Sequence, residues 1–312
     1  MPKQEKQEQQ KSPWLIITGI VFLLTVFSFF VIGVVTILLA TTDFETGNVA
    51  VIPIKGIIMI DEDSSLFSSS GIASATEIVE QIQKAQDDSS IEAIVFDINS
   101  PGGSPVASSE IARAIKEANK TTVAVIREVG ASGAYWAASA ADHIIANEVS
   151  ITGSIGVLAS YIEYSGLMER YNVSYERFVA GKYKDMGSPY KEMSDEEKAI
   201  YQSELNTMHD IFIKAVAENR NLEYDYVEEL ATGQIYIGVD ALSLGLIDEL
   251  GSKQEAYAYL EKEFGTAIIP VEYEEEKSFL EELMSALDQT AFHVGAGIGA
   301  VLVEENDGGM RV

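Results

Sequence analysis

The sequence predicts an α/β protein in which βαβ units build a parallel sheet, preceded by one apolar N-terminal helix. Short apolar runs rich in β-branched residues alternate with amphipathic segments of helical period. Glycine-rich turns follow two of those runs, where parallel sheets usually place their functional loops. A long uncharged segment near the N-terminus stands apart from this pattern and has the length of a membrane-spanning helix.

Composition narrows the possible function classes. The chain has 312 residues, of which 47% are hydrophobic, so it has ample apolar material for a core. Its 49 acidic and 21 basic residues give a net charge of −28, which excludes nucleic acid as a partner because phosphate binding needs clustered cations. The absence of cysteine excludes disulfides, thiol catalysis and cysteine-bound zinc. With three histidines in the whole sequence, we expect no metal ion, and we expect no organic cofactor.

The segment from Trp14 to Ala40 is the candidate transmembrane helix. Its 27 residues carry no charge, and as a helix they would extend about 40 Å at ~1.5 Å per residue. A bilayer core requires only about 20 apolar residues, so the segment can span it with some tilt. A cleaved signal peptide would have a shorter apolar run and a small-residue exit, and neither feature fits.

The flanking charges predict the orientation of this helix. Lys3, Lys6 and Lys11 precede it, whereas Asp43 and Glu45 follow it, so we expect the N-terminus to stay in the cytoplasm. The chain is thus expected to be a single-pass protein of the cell membrane with its folded domain on the extracytoplasmic side. The predicted divisions are a cytoplasmic tail (1–13), a transmembrane helix (14–40), a linker (41–48), one folded domain (49–285) and a C-terminal tail (286–312).

Strand and helix alternate along the first half of the folded domain. In chain order we predict a strand at 49–60, a helix with Ile78, Val79, Ile82 and Ala85 on one face, a strand at 91–98, a helix at 105–118, a strand at 122–127, a helix after Gly133, and strands at 144–146 and 151–158. Further on, Ser194 and Glu197 form a capping box for a helix that reaches about residue 219. No repeat of fixed period is visible, so a single domain is the simplest division.

Most standard catalytic motifs are missing from the sequence. The H-E-x-x-H zinc motif is absent, and a G-x-S-x-G elbow fails because residue 134 is alanine. The S-x-x-K match at residue 188 lacks the K-T-G and S-D-N motifs that accompany it in other enzymes. A Ser-His-Asp triad would need His143, His209 or His293, and the sequence context of each indicates a packing or surface residue.

Ser132 remains as a candidate nucleophile. It directly follows a strand, lies between glycines and begins a helix of small residues, so backbone N–H groups and the positive helix end would face an incoming oxyanion. The alternative interpretation is a turn whose serine only caps the helix. The turn at 101–103 favours the catalytic interpretation, because it can present a second backbone donor to the same edge of the sheet.

A serine nucleophile needs a base. Because no histidine is a credible base here, lysine is the candidate. A lysine can accept a proton only when it is neutral, which requires burial in an apolar site. The segment 181–185 offers Lys182 and Lys184, and Lys184 follows a run of strand character at 175–181. The chemistry of the residues does not choose between the two lysines.

Five separated motifs together resemble the signal peptide peptidase A family of Ser–Lys peptidases, over about residues 49–265. They are N-S-P-G-G at 99–103, A-S-G-A-Y at 131–135, T-G-S-I-G-V at 152–157, G-K-Y-K-D at 181–185 and A-L-S-L-G-L-I-D-E-L-G at 241–251. The resemblance implies a ClpP/crotonase-like α/β spiral, which is compatible with the predicted βαβ units.

Carried over by motif, the resemblance implies that Ser132 is the nucleophile and Lys184 the general base. It also implies that Ser154 orients the lysine and that Gly103 contributes to the oxyanion hole. We add Gly133, because the N–H after a nucleophile often completes such a hole. The family often has a second glycine after the nucleophile, and the alanine at position 134 here bears on specificity more than on mechanism.

We therefore expect a membrane-anchored serine endopeptidase that acts on peptides. The resemblance implies signal-peptide remnants as substrates and a ring-shaped homo-oligomer in which neighbouring subunits can complete one another's sites. The alternative from another class is a catalytically silent, membrane-anchored scaffold with the same fold. A crotonase-like acyl-CoA enzyme is a third option, which the extracytoplasmic orientation disfavours because CoA is cytoplasmic. Cleavage preference and subunit number stay open.

Overall fold

The computed structural model describes residues 13–41, 47–61 and 71–273. The chain forms two compact units, which divide between Thr46 and Gly47. The predicted C-terminal tail, together with His293, lies outside the described residues, as does nearly all of the predicted cytoplasmic tail.

The first unit contains the helix α1, Pro13–Thr41. It begins at a proline, which suits the first turn because the missing N–H would have no partner in the helix there. The hydroxyls of Thr18 and Thr25 donate to backbone carbonyls four residues earlier, at 2.9 and 2.8 Å. The segment is thus helical, as its composition predicts. A helix of the length and apolarity needed to cross a membrane is not found among the described residues.

The second unit contains all the other described elements. In chain order they are β1 Val49–Met59, β2 Ile72–Ser74, α2 Ala75–Asp87, β3 Ala93–Gly103, α3 Pro105–Lys116, β4 Thr121–Ala131, α4 Gly133–Ser139, β5 His143–Ala146, β6 Ile151–Gly153, α5 Ser165–Arg170, α6 Asp195–Arg220, α7 Tyr224–Leu230, β7 Ile235–Ile237, α8 Gly238–Ser243, β8 Glu249–Leu250, α9 Lys253–Phe264 and β9 Pro270–Glu272. The predicted capping box of Ser194 and Glu197 begins α6.

One mostly parallel sheet organises this unit, which confirms the predicted α/β class. Its strand order is β2-β1-β3-β4-β5-β8, and β9 also pairs with β1 in parallel. Near its end β4 pairs with β6, and β6 pairs with the antiparallel strand β7. The register joins Ala93 to Thr121 and Ser100 to Gly130, so β3 and β4 reach the same edge of the sheet.

Apolar side chains cover both faces of the sheet, as a parallel sheet requires. Phe96 of β3 belongs to the larger core cluster, which includes buried residues of α2, α3, α4 and α6. Val95 belongs to a second cluster with Leu260 of α9. Neighbouring residues of a strand point to opposite faces, so these two clusters lie on the two sides of the sheet. The helices thereby leave the carboxyl edge of β3 and β4 available for a site.

Both central strands run further than the sequence predicts. The turn-like segment 99–103 forms the last five residues of β3, and β4 continues to Ala131. The two glycines that end β3 pair with Ile57 and Ile58 of β1, after an irregularity in the register. Glycine and proline predict a turn locally, but the neighbouring strand supplies hydrogen bonds that keep the segment in the sheet.

Two regions predicted as strands turn out differently. β6 ends at Gly153 instead of residue 158, and the segment 175–181 forms no strand. An extended segment becomes a strand only where another strand satisfies its backbone groups. No described strand pairs with residues 154–158 or 175–181. These stretches therefore keep an irregular conformation in spite of their strand-like composition.

Asp97 of β3 is a buried carboxylate held among three cations. Its side chain is 2% exposed and lies 3.2 Å from Lys55, 3.2 Å from Arg127 and 3.1 Å from Lys253. Burial raises the pKa of this carboxyl, but the ammonium groups of Lys253 and Lys55 outweigh burial and hold the pKa below its ordinary value. The cluster ties β1, β4 and α9 to the centre of the sheet.

We predict that Asp97→Asn lowers the free energy of unfolding by about 2–3 kcal/mol near neutral pH, because charge-assisted hydrogen bonds are lost. The folded-state pKa is lowered, so this stabilisation is present above the ordinary carboxyl pKa and is lost as pH falls through the folded-state pKa. Urea unfolding at about pH 7 and about pH 3 should show the difference between the two proteins narrowing in acid.

The exposed carboxylate Asp87 provides the control for that measurement. Its described hydrogen bond is to Gln83 on the same helix, so Asp87→Asn should leave stability nearly unchanged at either pH. A stability difference for Asp97→Asn that stays the same in acid would contradict the assigned role of the charge.

Candidate active site

Ser132 lies where β4 passes into α4. Its φ of 54° and ψ of −126° form a backbone conformation that residues with a side chain rarely adopt. The N–H of Ser132 donates to the carbonyl of Gly153 at 2.8 Å, and its carbonyl accepts from the N–H of Trp136 at 2.9 Å. Ser132 is therefore fixed by β6 on one side and by the first turn of α4 on the other.

The end of β3 packs directly against this turn. Gly102 has a φ of +94°, and a Cβ added to it would lie only 2.6 Å from the backbone nitrogen of Gly133 and 3.0 Å from Cβ of Ser132. A Cβ on Gly103 would overlap the carbonyl of Ile58. Glycine is required at both positions, because the backbones approach too closely for any side chain.

Gly133 brings a second backbone amide to the same place. As the first residue of α4, its N–H has no acceptor within the helix. A Cβ on Gly133 would lie 3.3 Å from the backbone nitrogen of Gly103 and would overlap the hydroxyl of Ser108. The structure thus brings Gly103 and Gly133 together beside Ser132, as the sequence predicts for an oxyanion hole.

Ser132 lines two adjoining cavities. The smaller has a volume of about 170 Å³ and is lined by glycines and by the side chains of Pro105, Trp136, Val157, Leu158 and Phe212. The rings of Trp136 and Phe212 stack with their centres 4.7 Å apart. This cavity is the right size and polarity for one apolar side chain next to the serine.

The larger cavity, of about 640 Å³, is more polar and also contains Ser154. Ser154 follows β6 with a φ of 50°, and its N–H donates to the carbonyl of Gln234 at 2.8 Å. Ser132 and Ser154 thus line one cavity although 22 positions separate them. The sheet brings them together, because the end of β6 pairs with the end of β4.

Several residues that line these cavities were not predicted from the sequence to lie at the site. Gln202, Asn206 and His209 of α6 line the larger one, and the side-chain amide of Gln202 donates to Asn206 at 2.8 Å. Their spacing places them on one face of a helix, which is a usable signal once that helix is known to cover the site. Phe212, in the smaller cavity, continues the same helix. In the sequence alone these residues belong to an ordinary amphipathic helix.

His143 is a packing residue, as the sequence predicts, whereas His209 lies beside the candidate site. His143 stacks on Tyr259 and lies 3.3 Å from Glu249, away from Ser132's cavities. His209 lines the larger cavity, and its Nε2 lies 3.3 Å from the carbonyl of Ile155, which can only accept a hydrogen bond. In the described part of the chain, no three acidic or histidine side chains cluster in a way that could hold a metal ion.

Lys184 is exposed and lines neither of the cavities that contain Ser132. Its ammonium group forms no ion pair or hydrogen bond with the described residues, whereas Lys182 lies 2.5 Å from the carboxylate of Glu196. The hydrogen bond that Lys182 donates to the Glu196 carboxylate, with a contribution from Tyr183, raises the pKa of Lys182 above its ordinary value. A lysine held in its charged form is a poor base, which argues against Lys182.

Asp185, the residue after Lys184, pairs with other cations and not with Lys184. Its carboxylate forms a two-point pair with Arg177 and lies 3.8 Å from Lys191. The guanidinium of Arg177 holds the pKa of Asp185 below its ordinary value. Asp185 therefore stabilises the segment that presents Lys184 and leaves the Lys184 ammonium without a counter-ion.

A strained serine at the start of a helix, flanked by backbone amides and an apolar cavity, is the arrangement that serine hydrolases use for acyl transfer. A profile of peptidase family S49 matches residues 114–266, a range that contains Ser132, Ser154 and Lys184. The chain belongs to this family of serine peptidases, which includes signal peptide peptidase A. The family that the motifs predicted is thereby confirmed.

Similar proteins come from archaea and bacteria. A candidate protease of Methanocaldococcus jannaschii is 38% identical over 220 residues, which cover 69% of this chain and 70% of that protein. A candidate signal peptide peptidase SppA of Enterococcus faecium is 35% identical, covering 67% of this chain and 62% of that one. Protease 4 of Haemophilus influenzae is 34% identical, and the match spans 34% of its length.

Proposed function

We propose that this chain is a membrane-anchored serine endopeptidase in which Ser132 is the nucleophile and Lys184 the general base. The observation that carries the proposal is the strained backbone of Ser132, which lies at the junction of two cavities with glycine amides beside it. Such strain costs about 1–3 kcal/mol and is typical of functional residues.

The proposed reaction is acyl transfer through the Ser132 hydroxyl. Its Oγ bonds to the carbonyl carbon of the scissile peptide while its proton passes to the neutral amine of Lys184. The carbonyl electron pair moves to oxygen, and the N–H groups of Gly103 and Gly133 stabilise the resulting oxyanion. The C–N bond then breaks as Lys184 returns the proton to the leaving amine. A water activated by Lys184 hydrolyses the ester and frees Ser132.

Lys184 suits the role of base because of what surrounds it. Among the cations between residues 177 and 198, only Lys184 lacks a carboxylate partner in the described structure. An ammonium without a counter-ion loses its proton more readily once it enters an apolar, water-poor site. We propose that Ser154 receives a hydrogen bond from Lys184 there and orients it toward Ser132.

We propose further that Lys184 reaches the serine of a neighbouring copy. Lys184 lines neither cavity of its own chain, and the segment 157–191 that carries it exposes large apolar side chains. Leu158 is 86% exposed and Phe178 is 90% exposed. Large exposed apolar side chains, when they cluster, are typical of protein interfaces. Association of such segments into a ring would bury it and complete each site.

The proposed substrates are apolar peptides, in particular the signal-peptide remnants left in the membrane after secretion. The cavity of about 170 Å³ beside Ser132 favours an apolar side chain at the cleavage position. The similar Enterococcus protein is named as a signal peptide peptidase, which is consistent with this class. A protease tethered at the bilayer also meets membrane-bound substrates at a high effective concentration.

We propose that α1 is the membrane anchor, with the N-terminus in the cytoplasm and the second unit on the extracytoplasmic side. The uncharged stretch from Trp14 to Ala40 and the lysines before it support this orientation. The strong net negative charge would keep the second unit away from anionic lipid headgroups while it stays tethered to the membrane.

The proposed dyad of Ser132 and Lys184 is tested in the purified chain. Ser132→Ala and Lys184→Ala should each lower kcat for peptide hydrolysis by about 1,000-fold or more, because nucleophile and base act as one unit. Lys182→Ala is the matched control, since it removes a nearby lysine that is paired with Glu196, and it should keep most of the activity. Equal turnover by all four proteins would exclude the dyad, and no turnover by the wild type would favour the silent scaffold.

A pH–rate profile tests the state of the base in the same experiment. The wild-type rate should rise with pH as Lys184 loses its proton, and the residual rate of Lys184→Ala should lack that rise. A wild-type rate that stays constant to acid pH would contradict a neutral-lysine base.

A complementation experiment tests the shared site. Ser132→Ala chains and Lys184→Ala chains are mixed under conditions that allow subunits to exchange, and peptide hydrolysis is measured. If each site takes its serine from one copy and its lysine from another, the mixture should recover a sizeable part of wild-type activity. Activity no higher than the sum of the two separate variants would place both residues within one copy.

Membrane attachment is tested by alkaline extraction of membranes from cells that express the chain. The full chain should stay in the membrane fraction, because an apolar spanning helix is not released by high pH. A variant with three arginines in place of Leu23, Val26 and Phe30 should be released, since each charge in the apolar core opposes insertion by about 2.5–3.5 kcal/mol. Release of the unaltered chain would contradict the proposed anchor.

A further inference from the structure

Ser108 is a buried serine whose hydroxyl has no hydrogen-bond partner. It lies in the first turns of α3, is fully buried, and its oxygen pairs with no polar group of the described residues. Only its backbone is engaged, with the N–H donating to the carbonyl of Ser104 at 2.9 Å. A buried hydroxyl without a partner is uncommon and calls for a physical explanation.

Folding stability does not explain this hydroxyl. An unpaired buried hydroxyl costs about 1–3 kcal/mol, and alanine would occupy nearly the same space without that cost. Ser139 of α4 shows the usual arrangement for a buried serine. Its hydroxyl donates to the carbonyl of Trp136 at 2.7 Å and accepts from the side chain of Asn219 at 3.1 Å.

The position of the Ser108 hydroxyl suggests an explanation. It occupies the space that a Cβ on Gly133 would need, and that same point lies 3.3 Å from the backbone nitrogen of Gly103. The unpaired hydroxyl is therefore packed against one of the two glycines whose amides form the proposed oxyanion hole, and it lies close to the other.

We propose that Ser108 is a positioning residue for the oxyanion hole. Its hydroxyl has no partner among the described residues, so its O–H dipole is free to turn its positive end toward the negative charge that would form beside Gly133. Such a dipole acts strongly because the surroundings exclude water. The oxygen is shielded from solvent and packs against the Gly133 backbone, so it would act from behind that amide. This inference rests on the proposed function.

The test compares Ser108→Ala with the wild type in three measurements on the full-length chain. We expect kcat to fall about tenfold with KM nearly unchanged, less than the 100-fold or more that a direct oxyanion donor supplies. A peptide aldehyde that adds to Ser132 places its oxygen in the hole, so its affinity should fall by a similar factor. The midpoint of thermal unfolding should stay the same or rise, because an unpaired buried hydroxyl has been removed.

Two matched variants separate this role from a structural one. Ser109→Ala removes the hydroxyl of the next residue, which donates to the carbonyl of Val106, and it should change neither kcat nor aldehyde affinity. Ser139→Ala removes a paired buried hydroxyl, so it should lower the unfolding midpoint and leave kcat unchanged. Ser108→Cys keeps a weak donor and should recover part of the lost kcat.

The outcomes distinguish this inference from the proposed function. If Ser108→Ala keeps wild-type kcat and aldehyde affinity, the hydroxyl only fills space and the inference is wrong. If kcat falls while aldehyde affinity relative to KM is unchanged, the loss is not specific to the oxyanion, and the inference is again wrong. If the wild type hydrolyses no peptide, the proposed function fails and this inference fails with it.

Discussion

The close approach of two glycine-containing backbones is the constraint on which the candidate site depends. The end of β3 and the β4–α4 turn meet at distances that leave no room for a Cβ at Gly102, Gly103 or Gly133. Parallel pairing of β3 with β4 brings the two segments to one edge of the sheet. Because the backbones touch, Ser132 is held in its strained conformation and amide groups lie beside it. A larger residue at any of the three glycines would separate Ser132 from its proposed oxyanion donors.

Ion pairs between carboxylates and the few cations are the second constraint on this acidic chain. The cations near Lys184 are bound to carboxylates, and Asp97 gathers three more cations on the α9 side of the sheet. A chain with 49 acidic residues can neutralise its lysines and arginines readily. Lys184 escapes that neutralisation because its neighbour Asp185 is already paired with Arg177. An excess of acidic residues therefore coexists with an unpaired lysine in the described segment 177–198.

The strands and the turn that carries Ser132 were predictable because their signals are local. Apolar runs predict β3 and β4, and the glycines around Ser132 predict a sharp strand-to-helix turn. Lys184 is chosen over Lys182 by family resemblance, and the pairing of Lys182 with Glu196, which raises the pKa of Lys182, could not be read from the sequence. The segment 175–181 was predicted incorrectly, because its strand-like composition finds no strand to pair with. A pairing partner is a property of the fold and leaves no trace in the segment itself.

The sequence by itself determined the α/β class, the family, the candidate serine and its glycine neighbours, because each depends on residue types a few positions apart. The tertiary structure decided which of these residues lie in the same cavity and which pack against one another. It brought Ser154 into the cavity of Ser132, covered that cavity with Gln202, Asn206 and His209 of α6, and set the unpaired hydroxyl of Ser108 against Gly133. Those contacts join distant segments through sheet register and helix packing, which local residue patterns do not encode.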